Sequence, residues 1–178
     1  MKNALIVIDM QNDFIDGSLG SPEAVESVAS VIAEIQKDYD GIFFTRDTHF
    51  DSYLDTLEGK NLPVKHCIID TQGWQIRDDI YQAAVRTQKP LRVIDKMTFG
   101  SFALIDALRL YSRELESVTV VGLCTDICVV SNAILLRAAF PDLPIYVVRP
   151  ACAGTCVENH EAALQVMKAC QIYEKEEA

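Results

Sequence analysis

The chain has 178 residues, a size that fits one domain with a full buried core. Its six cysteines are too sparse for a disulfide scaffold at that length. The formal net charge of -10 repels phosphate and argues against nucleic acid or an anionic membrane as a partner.

Residues 3–9 form an unbroken apolar run that ends in the carboxylate of Asp9, which reads as a buried strand. The run is too short for a membrane span and lacks the form of an export signal, so a reducing, cytoplasmic setting is expected. There Cys67, Cys124, Cys152, Cys156 and Cys170 read mostly as small core residues. Ser21-Pro22-Glu23 opens a helix, with serine as cap and proline at the first helical position. It runs to about Asp38 with apolar residues at Val25, Val28, Ile32 and Ile35. Residues 42–45 are a second strand. Residues 46–74 lack periodicity and read as a long loop, functional or disordered. A helix is expected over 75–87, a third strand over 91–94, and a helix from the Ser101 cap to Tyr111. Residues 117–122 form a fourth strand, and 126–139 a helix stopped by Pro141. A fifth strand over 143–148, a helix over 158–169, a short sixth strand over 170–173 and a solvated tail from Glu174 complete the chain.

Strands without polar alternation, separated by helices, predict an α/β fold. The expected architecture is a three-layer α/β/α, Rossmann-like single domain over residues 1–178. A roughly six-stranded parallel sheet is covered by helices on both faces. Ligand sites in such sheets lie beyond the C-terminal strand ends. Asp9, residues 46–49, Asp95-Lys96 and residues 123–128 all fall there.

Those ends carry chemistry. Cys128 lies where a strand gives way to a helix, and the helix dipole there favours thiolate. Asp9 is placed to take the thiol proton and return it to a leaving amine. Lys96, just after the third strand, favours thiolate and orients the carboxylate. The N–H groups of Cys124 and Cys128 are candidates to hold an oxyanion. The combination points to an enzyme that forms a covalent thioester. Asp47, His49, Glu58 and His66 form a second set, with oxygen and nitrogen donors that suit Zn²⁺, or alternatively Fe²⁺ or Mn²⁺. Solvated loop residues are the competing reading for that set. Phe14 suits either core packing or stacking on a flat ring, and His160 reads as a surface residue.

Four motifs, in this order, resemble the isochorismatase-like cysteine hydrolases and within them the nicotinamidases. They are Ile6-Val-Ile-Asp9-Met-Gln-Asn-Asp-Phe14, Thr45-Arg-Asp47-Thr-His49, Lys96-Met-Thr-Phe-Gly-Ser-Phe and Gly122-Leu-Cys-Thr-Asp-Ile-Cys128-Val. The resemblance implies an Asp9–Lys96–Cys128 triad and a non-proline cis peptide at Leu123–Cys124. It implies one divalent metal on Asp47, His49 and His66, with Glu58 as the ligand third in chain order and Asp51 and Asp55 as competitors for that place. It favours the stacking role for Phe14 and places Leu123 beside the substrate. Some relatives have an aromatic three residues before the last histidine ligand. Pro63 stands there in this chain, so Trp74 or Leu62 is expected to complete the ring pocket. The implied activity is hydrolysis of nicotinamide to nicotinate and ammonia by a homodimer or homotetramer. The rivals are a ureido- or carbamoyl-cleaving relative, isochorismatase-type vinyl ether hydrolysis and a non-catalytic binding protein.

Overall fold

The computed structural model describes residues 1–175. Six strands, β1 (Asn3–Ile8), β2 (Gly41–Asp47), β3 (Leu91–Lys96), β4 (Ser117–Leu123), β5 (Ile145–Ala153) and β6 (Tyr173–Glu174), form one sheet. All pair in parallel, in the order β3-β2-β1-β4-β5-β6. The first strand is therefore central. The chain builds outward to β3 on one side, then returns to lay β4, β5 and β6 on the other. The reversal opens a crevice between the C-terminal ends of β1 and β4, where open α/β sheets take ligands.

Every residue from Ala4 to Ile8 is fully buried, because both faces of β1 are covered. Leu5 and Val7 face one core, shared with α2 (Pro22–Ile35) and α4 (Asp78–Arg86). Ala4, Ile6 and Ile8 face the other, shared with α5 (Phe102–Arg109), α6 (Val130–Ala139) and α7 (Val157–Ala169). This is the expected three-layer α/β/α architecture. The Ser21 cap forms as expected, its Oγ accepting from Ala24 N at 3.0 Å. The buried face of α2 is Ala24, Ser27, Val28, Val31, Glu34 and Ile35, whereas Val25 faces solvent.

Several expectations need correction. Residues 46–74 are not a bare loop: β2 extends to Asp47, a 3-10 turn covers Asp51–Asp55, and a short helix, α3, covers Leu57–Asn61. A one-turn helix, α1, covers Asn12–Ile15 and carries no sequence periodicity that would reveal it. β3 runs to Lys96, so this lysine is the last residue of the strand rather than the one after it. The helix expected from Asp126 begins with a wide π turn, Thr125–Val129, in which Val129 N donates to Cys124 O at 3.1 Å. All six cysteines are free, but Cys156 is exposed and Cys124 and Cys170 are half-buried, so the core reading holds only in part. The end of the expected solvated tail, residues 176–178, lies outside the described residues. No helix among the described residues is long and apolar enough to cross a membrane.

Candidate active site

At the end of β1 the backbone of Asp9 enters the left-handed region, at φ 48°, which aspartate tolerates better than most residues. Thr45 of β2 fixes the result. Its Oγ1 donates to Asp9 Oδ1 at 2.7 Å and accepts from Asp9 N at 3.2 Å. The β2–β3 register pairs Asp47 with Lys96. From the far side of β2, the Lys96 side chain reaches three groups. Its Nζ lies 2.7 Å from Asp9 Oδ2, 3.2 Å from Asp47 Oδ1 and 3.4 Å from Cys128 Sγ.

Cys128 arrives by a tight route. Gly122 adopts φ 119°, and a Cβ there would sit 2.0 Å from Ile8 O, so only glycine fits where β4 passes β1. The Leu123–Cys124 peptide is cis, as the resemblance implies. Cys124 then caps the π turn that carries Cys128. Fully buried Asn132, on the first turn of α6, holds this turn from behind. Its Nδ2 donates to Cys128 O at 2.8 Å and to Phe99 O at 3.0 Å, and its Oδ1 accepts from Ser101 N at 2.9 Å.

The electrostatics differ from the sequence expectation. Burial first, then the Asp9 and Asp47 carboxylates, push the Cys128 thiol well above its ordinary value; Lys96 only partly offsets them. Burial, with Asp47, also raises Asp9 against the pull of Lys96. Lys96 stays charged, because the Asp9 and Asp47 carboxylates outweigh the cost of burying it. Lys96 is shared between Asp9 and Asp47, so a further negative charge on the sulfur beside it is disfavoured. Burial and the two carboxylates thus oppose the thiolate that the helix start favours.

The second set of residues also converges. One ligand atom from each of Asp47, His49, Glu58 and His66 lies within 4.8 Å of the others. His66 Nδ1 lies 2.8 Å from Val64 O, which leaves Nε2 facing the cluster. His49 Nε2 is 2.9 Å from Asp47 Oδ2 and 3.5 Å from Glu58 Oε1, yet it is aligned with neither as a hydrogen bond. Such groups point at a shared centre rather than at one another, as ligands around an ion do. Burial opposes a charge on His49, but Asp47 and Glu58 outweigh it and push its pKa up to about 9. The two carboxylates favour positive charge at this point, and the donor set fits a divalent ion. Glu58 is the acid that converges; Asp51 and Asp55 are exposed.

Both sets open into one cleft of about 800 Å³. Phe14, Leu123, Cys124, Cys128, Asp47, Glu58 and His66 line it. Phe14 packs its ring 5.5 Å from that of His66. Leu62 lines the cleft, but Trp74 does not. The Trp74 indole instead donates to Thr48 Oγ1 at 2.9 Å beneath the Arg46 guanidinium, which lies 3.4 Å above its ring. Trp74 braces the end of β2, and its expected place in the ring pocket is withdrawn. His160 is not a surface residue either: half-buried, its Nδ1 lies 2.8 Å from Thr125 Oγ1.

Sequence reasoning missed two supporting side chains. Buried Gln11 donates to Asp47 O at 2.8 Å and accepts from Asp47 N at 2.6 Å, clamping that residue's backbone. Asp13 Oδ2 accepts from Cys67 N at 2.7 Å and ties down the loop after His66. Both lie in the Asp9–Phe14 motif, and that position was the only available signal.

Residues 3–174 match the isochorismatase domain. The chain belongs to the isochorismatase family. It is a hydrolase of that family. A nicotinamidase from Bacillus subtilis superposes with a TM-score of 0.81 at 28% identity, over 99% of this chain and 100% of that one. A pyrazinamidase of Pyrococcus horikoshii, solved in complex with zinc, gives 0.78 at 26% identity over 99% and 100%. The N-carbamoylsarcosine amidase from Thermoplasma acidophilum gives 0.74 at 25% identity over 100% and 99%.

Proposed function

We propose that the chain hydrolyses nicotinamide to nicotinate and ammonia through a thioester on Cys128. The observation that carries this reading is the position of Lys96 Nζ, 3.4 Å from Cys128 Sγ and 3.2 Å from Asp47 Oδ1. It puts the nucleophile and the metal-type cluster side by side in one cleft. A substrate that uses both needs a carboxamide and a ring nitrogen on the same edge. The nicotinamidase and pyrazinamidase likenesses support the same substrate class.

As Cys128 Sγ attacks the carboxamide carbon, its proton passes to Asp9, the basic neighbour. The N–H groups of Cys124 and Cys128 hold the oxyanion. The C–N bond breaks as Asp9 returns the proton to nitrogen, and ammonia leaves. Water then attacks the thioester while Asp9 takes its proton. The C–S bond breaks and Asp9 hands that proton back to sulfur. Lys96 balances the carboxylate throughout. Asp47, His49, Glu58 and His66 would hold one divalent ion, zinc in this reading, which supplies a Lewis-acid contact for the pyridine nitrogen. Phe14 stacks on the ring, with Leu123 and Leu62 beside it. The reading extends to a cytoplasmic step of pyridine nucleotide salvage. It also includes a homodimer or homotetramer, for which exposed Phe102 and Leu110 offer apolar surface.

The test is ammonia release from nicotinamide, pyrazinamide and ureido compounds, with added Zn²⁺ or a chelator. Turnover of the two ring amides that chelation removes is expected. Turnover of ureido compounds alone, untouched by chelation, transfers the reading to a carbamoyl-type amidase, the alternative that the carbamoylsarcosine amidase likeness supports.

A further inference from the structure

The cleft is larger than a bare nicotinamide needs. That ligand has nine heavy atoms, whereas a cleft of about 800 Å³ is of the size that holds drug-sized molecules. Its buried end carries Asp47 and Cys128, with Lys96 and Asp9 behind them. Its rim is apolar: Leu57 is 79% exposed, Met97 62% and Phe99 46%. These three side chains line the same cleft as the nucleophile and leave much of their surface uncovered.

The orientation follows from the chemistry already assigned, so this inference rests on the proposed function. The ring nitrogen faces the Asp47–His49–Glu58–His66 cluster and the carboxamide faces Cys128. Lys96 and Asp47 lie between the two. The ring carbon between nitrogen and carboxamide, C2, therefore points at the buried end. The carbon across the ring, C5, points at the rim.

The rim is also tied to the nucleophile. Asn132 donates to both Cys128 O and Phe99 O, and Ser101 N donates back to it. Thr98 Oγ1 donates to Gly100 O at 2.7 Å and tightens the same turn. One buried side chain thus sets the distance from the Met97–Phe99 wall to the thiol. We propose that the enzyme accepts pyridine carboxamides with an apolar substituent at C5, seated on Leu57, Met97 and Phe99, and that Asn132 is a positioning residue for this wall.

The experiment compares nicotinamide with its 5-propyl and 6-propyl derivatives. It uses kcat/KM for the amides and calorimetric binding of the corresponding acids, which needs no turnover. The 5-propyl compounds are expected to gain about tenfold in both readouts. The 6-propyl compounds are expected to lose, because that group crowds the ring nitrogen. Phe99→Ala should collapse the 5-propyl gain. Asn132→Asp keeps the acceptor for Ser101 N but removes both donors, and should reduce the 5-propyl gain in binding; Asn132→Ser is the second variant if the first does not fold. Nicotinamide turnover with no 5-propyl gain, or a gain that survives Phe99→Ala, overturns this inference and leaves the proposed function standing. No turnover of any ring amide overturns both.

Discussion

Among the described residues charge is buried in two places, and the two clusters are built in opposite ways. Around Glu34 one carboxylate meets two lysines and a phenol. Lys37 Nζ lies 2.7 Å from its Oε2, Lys175 Nζ 3.2 Å from its Oε1, and Tyr39 OH donates to it. Burial opposes that charge, but these donors outweigh it and hold Glu34 below the usual carboxylate range. At the cleft the ratio reverses. One lysine serves Asp9 and Asp47 with a thiol beside them, and Asp9 is pushed up. An acid with surplus donors is a structural tie. An acid short of donors is a base in waiting. The difference is the signature of a functional site, and it costs stability there.

The largest expected effect is on turnover at the donor-poor cluster. Cys128→Ala should lower kcat for nicotinamide by at least about 10⁴-fold with the fold intact by circular dichroism. Single-turnover ammonia release by that variant would sink the mechanism. Asp9→Asn should follow, with a loss of about 10²–10⁴-fold, because the proton relay is gone. Glu34→Gln should leave steady-state turnover unchanged; a comparable loss there would erase the contrast between the clusters. Next comes the metal set. Glu58→Gln should weaken binding of a divalent ion at least about tenfold, read by titration with a chromogenic chelator.

The smallest effects concern stability, and their signs should differ. Glu34→Gln leaves Lys37 and Lys175 without their acid and should cost about 1–3 kcal/mol, roughly 2–4 °C in melting temperature per kcal/mol. Asp9→Asn should cost less, because the native site already disfavours that charge. The pH dependence separates them further. Glu34 is lowered in the fold, so its contribution is complete above the ordinary glutamate range and fades as pH falls through the lower folded value. The melting difference between the parent and Glu34→Gln should therefore shrink below roughly pH 4. A difference that grows on acidification would contradict the assignment.

How much of this could be read from sequence follows from what each feature depends on. The sheet was legible because parallel strands buried on both faces leave unbroken apolar runs, as residues 3–8 do. Asp9, Lys96 and Cys128 were legible because they follow such runs, and the topology gathers strand ends along one edge. Glu58 was separable from Asp51 and Asp55 only in three dimensions, since all three are acids on one loop. Trp74 was misplaced because nearness to the cluster in sequence does not fix a side chain's direction; its indole turns to Thr48 instead. Gln11 and Asn132 carry no periodic or charge signal, so their roles emerge only from their partners. The electrostatics of Cys128 were legible only in part, because the helix start is visible in sequence while its burial and the sharing of Lys96 by Asp47 are not.

Those electrostatics have a consequence for durability. Peroxide and other oxidants attack thiolate, and a buried thiol held above its ordinary value offers little of it. In the proposed mechanism, a Cys128 held this way offers oxidants little to attack while it waits for substrate. Exposed Cys156, at the start of α7, meets oxidants first.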